Sequence, residues 1–277
     1  MANQRSQTGR TFARHVAPFA PLALALAMSA APPKQPATEA SARTSSSHKA
    51  AACHPSLSSC PVFGCETEGS DHALVNEMKR RIPTSTSPKM LSWDDFRALQ
   101  EDADSTVGED QELDASDRAR LHDLSISSGR VSEGDLVQLA GFLVGKPPPN
   151  TGESVNCGLS GSANNDFHIP FAADPDQTPF EGVVVEMIPQ DRPAQWSIKS
   201  LNKIETGRRE VLFTGQLFYD NMHRVNGDEE NSQQGQPPRF SLFEIHPVTS
   251  IAICPSDHCD PSQPSQWRTL DEFLSEK

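Results

Sequence analysis

Tyrosine occurs once in this chain and tryptophan three times, and aromatic residues make up only 6% of it. Such scarcity argues against a stacked aromatic platform for sugars or unpaired bases. Apolar runs are short, and none reaches the roughly 18–20 residues that cross a bilayer as a helix. Positive charge is scarce as well. Lys and Arg total 24 against 37 Asp and Glu, a formal net charge of −13 over 277 residues. That balance repels phosphate backbones and anionic membrane faces, so nucleic acid is not an expected partner. The chain has no HExxH, no nucleophile elbow and no phosphate loop. Its acidic stretch 101–117 lacks the D-x-[DN]-x-[DN]-G order that sets calcium ligands at fixed steps. Apolar residues are 35% of the total, against roughly 45–50% with Gly included in a globular average, so part of the chain has little to bury.

What is present begins with an export-like leader over residues 1–31. Arg5, Arg10 and Arg14 form a positive start without an acid, residues 16–27 are apolar, and Ala25 and Ala27 make an A-x-A-like cleavage site. The Ala, Pro, Ser and Thr that follow have linker composition, and residues 32–69 are expected as an unstructured, cysteine-bearing linker. An even set of six cysteines, Cys53, Cys60, Cys65, Cys157, Cys254 and Cys259, behind such a leader favours disulfides and a secreted or periplasmic location. Two pairs share one spacing, CPVFGC (60–65) and CPSDHC (254–259), and each suits a small closed loop. Crosslinks such as Cys157 to Cys254 are equally open, since six cysteines allow about 15 pairings. A Cys/His zinc site with His54 and His258 is the rival reading, at the edge of the usual ligand spacing.

Residues 70–129 read as a small helical region. Ser70 caps DHALVNEMKRR, which ends before Pro83. Ser92 and Asp95 form a capping box ahead of Phe96, Leu99 and Ala103. A third helix is expected over 115–124.

From residue 131 onward the pattern becomes β-rich. Strands are expected at 136–144, 166–172, 183–188, 210–219 and 240–253, with a helix at 193–204 between the third and fourth. Gly141 and Gly215 mark bends or bulges. A short amphipathic helix is expected in the tail, 255–277. The order β-β-β-α-β-β over 131–254 resembles the OB-fold, a five-stranded Greek-key barrel, and implies a mainly β protein. The motifs GQLFYDNMH (215–223) and FEIHPVT (243–249) are similar to those of exported bacterial proteins of this type, a resemblance that implies fold and compartment but no activity. Acids outnumber bases two to one over 131–254, unlike OB-folds that bind single strands.

The candidate site follows from alternation along these strands. Asp166 and His168 share one strand face, Glu244 and His246 share another, and Phe167, Ile169, Phe243 and Ile245 point away from them. Glu186 interrupts a valine run, where a carboxylate needs a partner or a cation. In an OB arrangement the third strand lies between the second and the fifth, which brings these five side chains to one patch. Asp220 and His223 stand where the fourth strand enters its loop. Imidazoles among carboxylates suit a divalent metal or general acid–base chemistry, while alternating polar residues on a sheet are ordinarily its solvated face. The expected function is an exported binding or interaction module for an unidentified small molecule or protein. The alternatives are a metal-dependent hydrolase using this cluster and a structural envelope protein without a ligand.

Overall fold

The computed structural model describes residues 52–108, 113–146, 152–232 and 236–275. The expected export leader, 1–31, and the linker as far as residue 51 lie outside the described residues. Everything below belongs to the unit His48–Lys277.

The described elements are α1 (Asp71–Lys79), β1 (Lys89–Met90), α2 (Trp93–Thr106), α3 (Ala115–Arg118), β2 (Leu124–Ile126), β3 (Gly129–Val131), β4 (Leu136–Leu143), β5 (Phe167–Ala172), β6 (Val183–Met187), α4 (Ile198–Thr206), β7 (Glu210–Tyr219), β8 (Phe243–Ile253), β9 (Arg268–Thr269) and α5 (Leu270–Ser275). The protein is mainly sheet with a small helical part. Five strands, β4, β5, β6, β8 and β7, pair in that order, and β7 returns to pair with β4, so the ring closes. All contacts around it are antiparallel except β6 with β8, where Val185 stands beside Ile245.

Closure needs close backbone approach at two glycines. A Cβ on Gly215 would lie 2.3 Å from the Pro247 carbonyl oxygen, and the β7–β8 register shifts on either side of this residue. A Cβ on Gly141 would lie 2.5 Å from the Ala172 carbonyl oxygen, where β4 turns from β7 to β5. Both are sites of strong local curvature.

Strand alternation divides the ring into two environments. Ile169, Phe171, Val183, Val185, Phe213, Leu217, Phe243 and Ile245 fill its inside. Phe96, Leu99, Leu201 and Ile204 from α2 and α4 extend the same core. The caps at Ser70 and at Ser92–Asp95 form as their sequence patterns require, each serine accepting a backbone N–H in the first turn.

Three expectations need correction. Residues 52–69 are not an unstructured linker. They are stapled by Cys53–Cys65 and Cys60–Cys157 and include a short helical turn at Leu57–Ser59. Crosslinks replace the apolar burial this segment lacks. The options of Cys60 with Cys65 and of Cys157 with Cys254 give way to these two bonds; Cys254–Cys259 closes the small loop as its spacing allows. No cysteine is left for a zinc knuckle. Last, α3 runs into a 3-10 turn at Ala119–Leu121 and stops there, and Leu124 belongs to the β2–β3 hairpin, which is too short and polar to show in periodicity.

The outer face of the ring is covered as well. Gln216 donates to the Met78 carbonyl at 2.8 Å, and Phe218 packs on Val75 and Met78 of α1. Asn156 reaches Asp166 at 2.9 Å, and Asn76 reaches Ser154 at 2.8 Å. Together α1 and residues 152–159 roof the strands, and Cys60–Cys157 ties the roof together.

Candidate functional site

A buried polar cluster lies between that roof and the outer face of β5, β6 and β8. The antiparallel register sets His168 directly opposite Glu186. The parallel contact of Val185 with Ile245 sets Glu186 beside Glu244 and His246. Asp166, Glu186, Glu244, His246 and Asp220 are fully buried, so this is not a solvated sheet face. His168 keeps 12% side-chain exposure and its neighbour Glu153 keeps 14%, which makes this pair the cluster's edge to solvent.

His246 is the hub. Its Nδ1 lies 3.2 Å from Glu186 Oε2 and 3.4 Å from Glu244 Oε2, and its Nε2 lies 3.6 Å from Asp166 Oδ2. Glu186 Oε1 lies 2.8 Å from His168 Nε2, which is itself 3.8 Å from Glu153. That 2.8 Å contact pairs Glu186 with the His168 ring as a close ion pair. Both Glu186 oxygens, Asp166 Oδ2, Glu153 Oε2 and His246 Nε2 have no hydrogen-bond partner among the described residues. Unsatisfied buried polar atoms are costly, and so many in one place point to a missing partner.

Lys79 and Arg239 are the fixed cations. Arg239 is fully buried and bonds both Glu244 and, at 3.3 Å, Asp220. Asp220 also pairs closely with His223 Nδ1. Five carboxylates (Asp166, Glu186, Asp220, Glu244 and Glu153) thus face two fixed cations, leaving 5 − 2, or three negative charges, to be met by protons or a metal ion.

The protonation pattern shows this tension. Burial raises the Asp166 carboxyl and the Glu153 charge raises it further, to about 7, although His246 opposes. Burial and the Glu186 charge lift Glu244 to about 8 against the pull of Arg239. Burial depresses His168, but Glu186 and Glu153 outweigh it and bring the imidazole to about 9. Burial would raise Glu186, yet His168 and His246 hold it far below the usual carboxylate range. Burial also works against Asp220, and Lys79 and His223 outweigh it. His246 is depressed, chiefly by burial, and so favours the neutral imidazole that a metal requires.

The donor set fits a divalent cation. Two carboxylates and an imidazole, Asp166, Glu186 and His246, offer ligand atoms that all lie within 4.8 Å of one another. Two ligands about 2.1 Å from a tetrahedral cation stand roughly 3.4 Å apart, close to the 3.6 Å between His246 Nε2 and Asp166. Glu186 Oε2 and Glu244 Oε2 both face Nδ1, the other ring nitrogen of His246, the usual position of an orienting carboxylate. Asn156, held by Gln190 at 3.1 Å, occupies Asp166 Oδ1 and leaves Oδ2 turned towards His246.

Of the seven site residues expected from sequence, Asp166, His168, Glu186, Glu244 and His246 come together. Asp220 joins them through Arg239. His223, 23% exposed, looks instead onto a separate cavity of about 520 Å³ lined by Gln100, Tyr219, Asn221, Phe240 and Leu242. Sequence reasoning missed Lys79, Glu153 and Arg239. Lys79 lies four residues after Val75, on the buried side of α1, a spacing that was available; Arg239 sits in a loop with no such signal. A second buried pair, Arg118–Glu133 at 2.6 Å, was also missed, and it braces Tyr219 through its backbone.

No family model, no curated protein and no solved structure matches the chain.

Proposed function

We propose that this protein is an exported binding module of OB-fold type whose ligand is a divalent transition-metal cation, held by Asp166, Glu186 and His246. The observation that carries the proposal is the set of Asp166 Oδ2, Glu186 Oε2 and His246 Nε2, fully buried without a hydrogen-bond partner among the described residues. Mixed imidazole and carboxylate ligands suit zinc, manganese or iron better than calcium. Complete burial suits a retained cation, since catalytic metals keep an open position. Export is supported by three disulfides, the lack of free cysteine and the charged, apolar leader. Among the described residues no helix is long and apolar enough to cross a membrane. The OB assignment is supported by the ring order of the five strands and the position of α4 before β7.

The test is metal analysis of the oxidised protein after chelator treatment and reloading with Zn²⁺. At least one tightly held equivalent is expected in wild type, and less than a tenth of that in His246→Ala. Because His246→Ala could misfold, wild-type melting with and without Zn²⁺ serves as the second readout. No bound zinc and no shift in melting would leave the cluster a purely structural network.

A further inference from the structure

Glu186 turns its two carboxylate oxygens towards two different ligand sets. Oε2 faces His246, near Asp166, while Oε1 faces His168, near Glu153. Glu153, His168 and Glu186 offer ligand atoms within 4.8 Å of one another, as the inner triad does, and Glu186 is the member common to both. Glu186 Oε1 and Glu153 Oε2 have no hydrogen-bond partner among the described residues, and Glu186 is fully buried. This outer set stands at an edge of the cluster that touches solvent, with His168 12% and Glu153 14% exposed. Glu153 lines a cleft of about 140 Å³ together with Glu66, His72, Asn76, Ser154 and Met222.

We infer that Glu186 bridges two divalent cations: the inner one proposed above, and an outer one held by Glu153, His168 and Glu186, beside the cleft that Glu153 lines. The inference rests on the inner-cation reading and adds a second ion to it. A bridging carboxylate is the usual link between paired cations roughly 3.5–4 Å apart. The two ions differ in access. The inner one is enclosed by protein. The outer one has three protein ligands, two of which, His168 and Glu153, are partly exposed, so positions remain for solvent or for an oxygen of a small anionic ligand.

The experiment is stoichiometry by elemental analysis of chelator-treated, disulfide-intact protein reloaded with Zn²⁺ and separated from free metal. It is paired with electron paramagnetic resonance of the Mn²⁺-loaded form. Two equivalents are expected in wild type, with an exchange-coupled manganese pair. Glu153→Gln and His168→Ala, both at the solvent edge, are each expected to bind one equivalent, lose the coupled signal and keep the wild-type fold by circular dichroism. One equivalent in wild type, unchanged by these substitutions, overturns the second cation and leaves the inner one standing. No bound metal overturns both. Two equivalents that persist in both variants overturn the assignment of Glu153 and His168.

Discussion

Cys60 is bonded to Cys157 across 97 positions of sequence, and this bond joins the two segments that roof the Glu186 carboxylate. One segment carries α1 with Lys79, and the other carries Glu153 and Asn156. The cluster is therefore assembled by tertiary closure as much as by the strands beneath it.

Opening this bond is expected to damage the site more than the ring. Crosslinking a loop of about a hundred residues restricts the unfolded chain by roughly 3–5 kcal/mol. Cys60→Ser with Cys157→Ser should lose stability of that order in denaturant titrations and weaken Zn²⁺ binding by at least about tenfold. Cys254→Ser with Cys259→Ser spans a separation of only 5 and lies away from the cluster, so it should leave Zn²⁺ affinity unchanged.

Asp166→Asn separates metal binding from folding. Asp166 is a carboxylate whose charge the metal-free protein resists, and asparagine keeps the oxygen that accepts from Asn156. In chelator above pH 7 the variant should unfold at the same temperature as wild type or higher. With Zn²⁺ at a hundredfold excess over its Kd, wild type should gain about 2.7 kcal/mol and the variant almost none.

Arg239 tests the buried charge balance. Removing one partner of a buried pair leaves the other uncompensated and costs about 3–5 kcal/mol. Arg239→Met should be destabilised by that much. Adding Glu244→Gln should recover part of the loss, and the double-mutant cycle measures the coupling.

The metal-free protein should lose stability as pH rises from about 6.5 to 9. Asp166, Glu244 and His168 all have folded positions above their unfolded ones, at about 7, 8 and 9. Each favours the folded state while protonated and withdraws that support as pH climbs through its folded value. Bound Zn²⁺ replaces those protons and should flatten the decline. Melting temperatures across this range, in chelator and in Zn²⁺, give the comparison.

Much of the ring was legible in the sequence because it rests on local pattern. Runs such as VVVEM and EVLFTGQLFY leave little choice, and Gly215 marks a bulge that backbone contact demands. Glu186 was conspicuous because valines surround it. The roof was not legible. Residues 52–69 carry little apolar surface, and their order comes from crosslinks whose pairing no spacing reveals. Lys79, Glu153 and Arg239 reach the cluster from a helix and two loops far apart in sequence, so only the assembled chain brings their charges to Glu186, Glu244 and Asp220. The full burial of Glu244 and His246 also depends on that roof, which strand alternation alone does not foretell.

Anomalous diffraction at the zinc edge, from crystals of chelator-treated protein reloaded with Zn²⁺, tests the buried cation most directly. The account predicts a peak within bonding distance of His246 Nε2, Asp166 Oδ2 and a Glu186 oxygen. A map with no peak among these three side chains, at a zinc concentration that saturates the protein in solution, would contradict it.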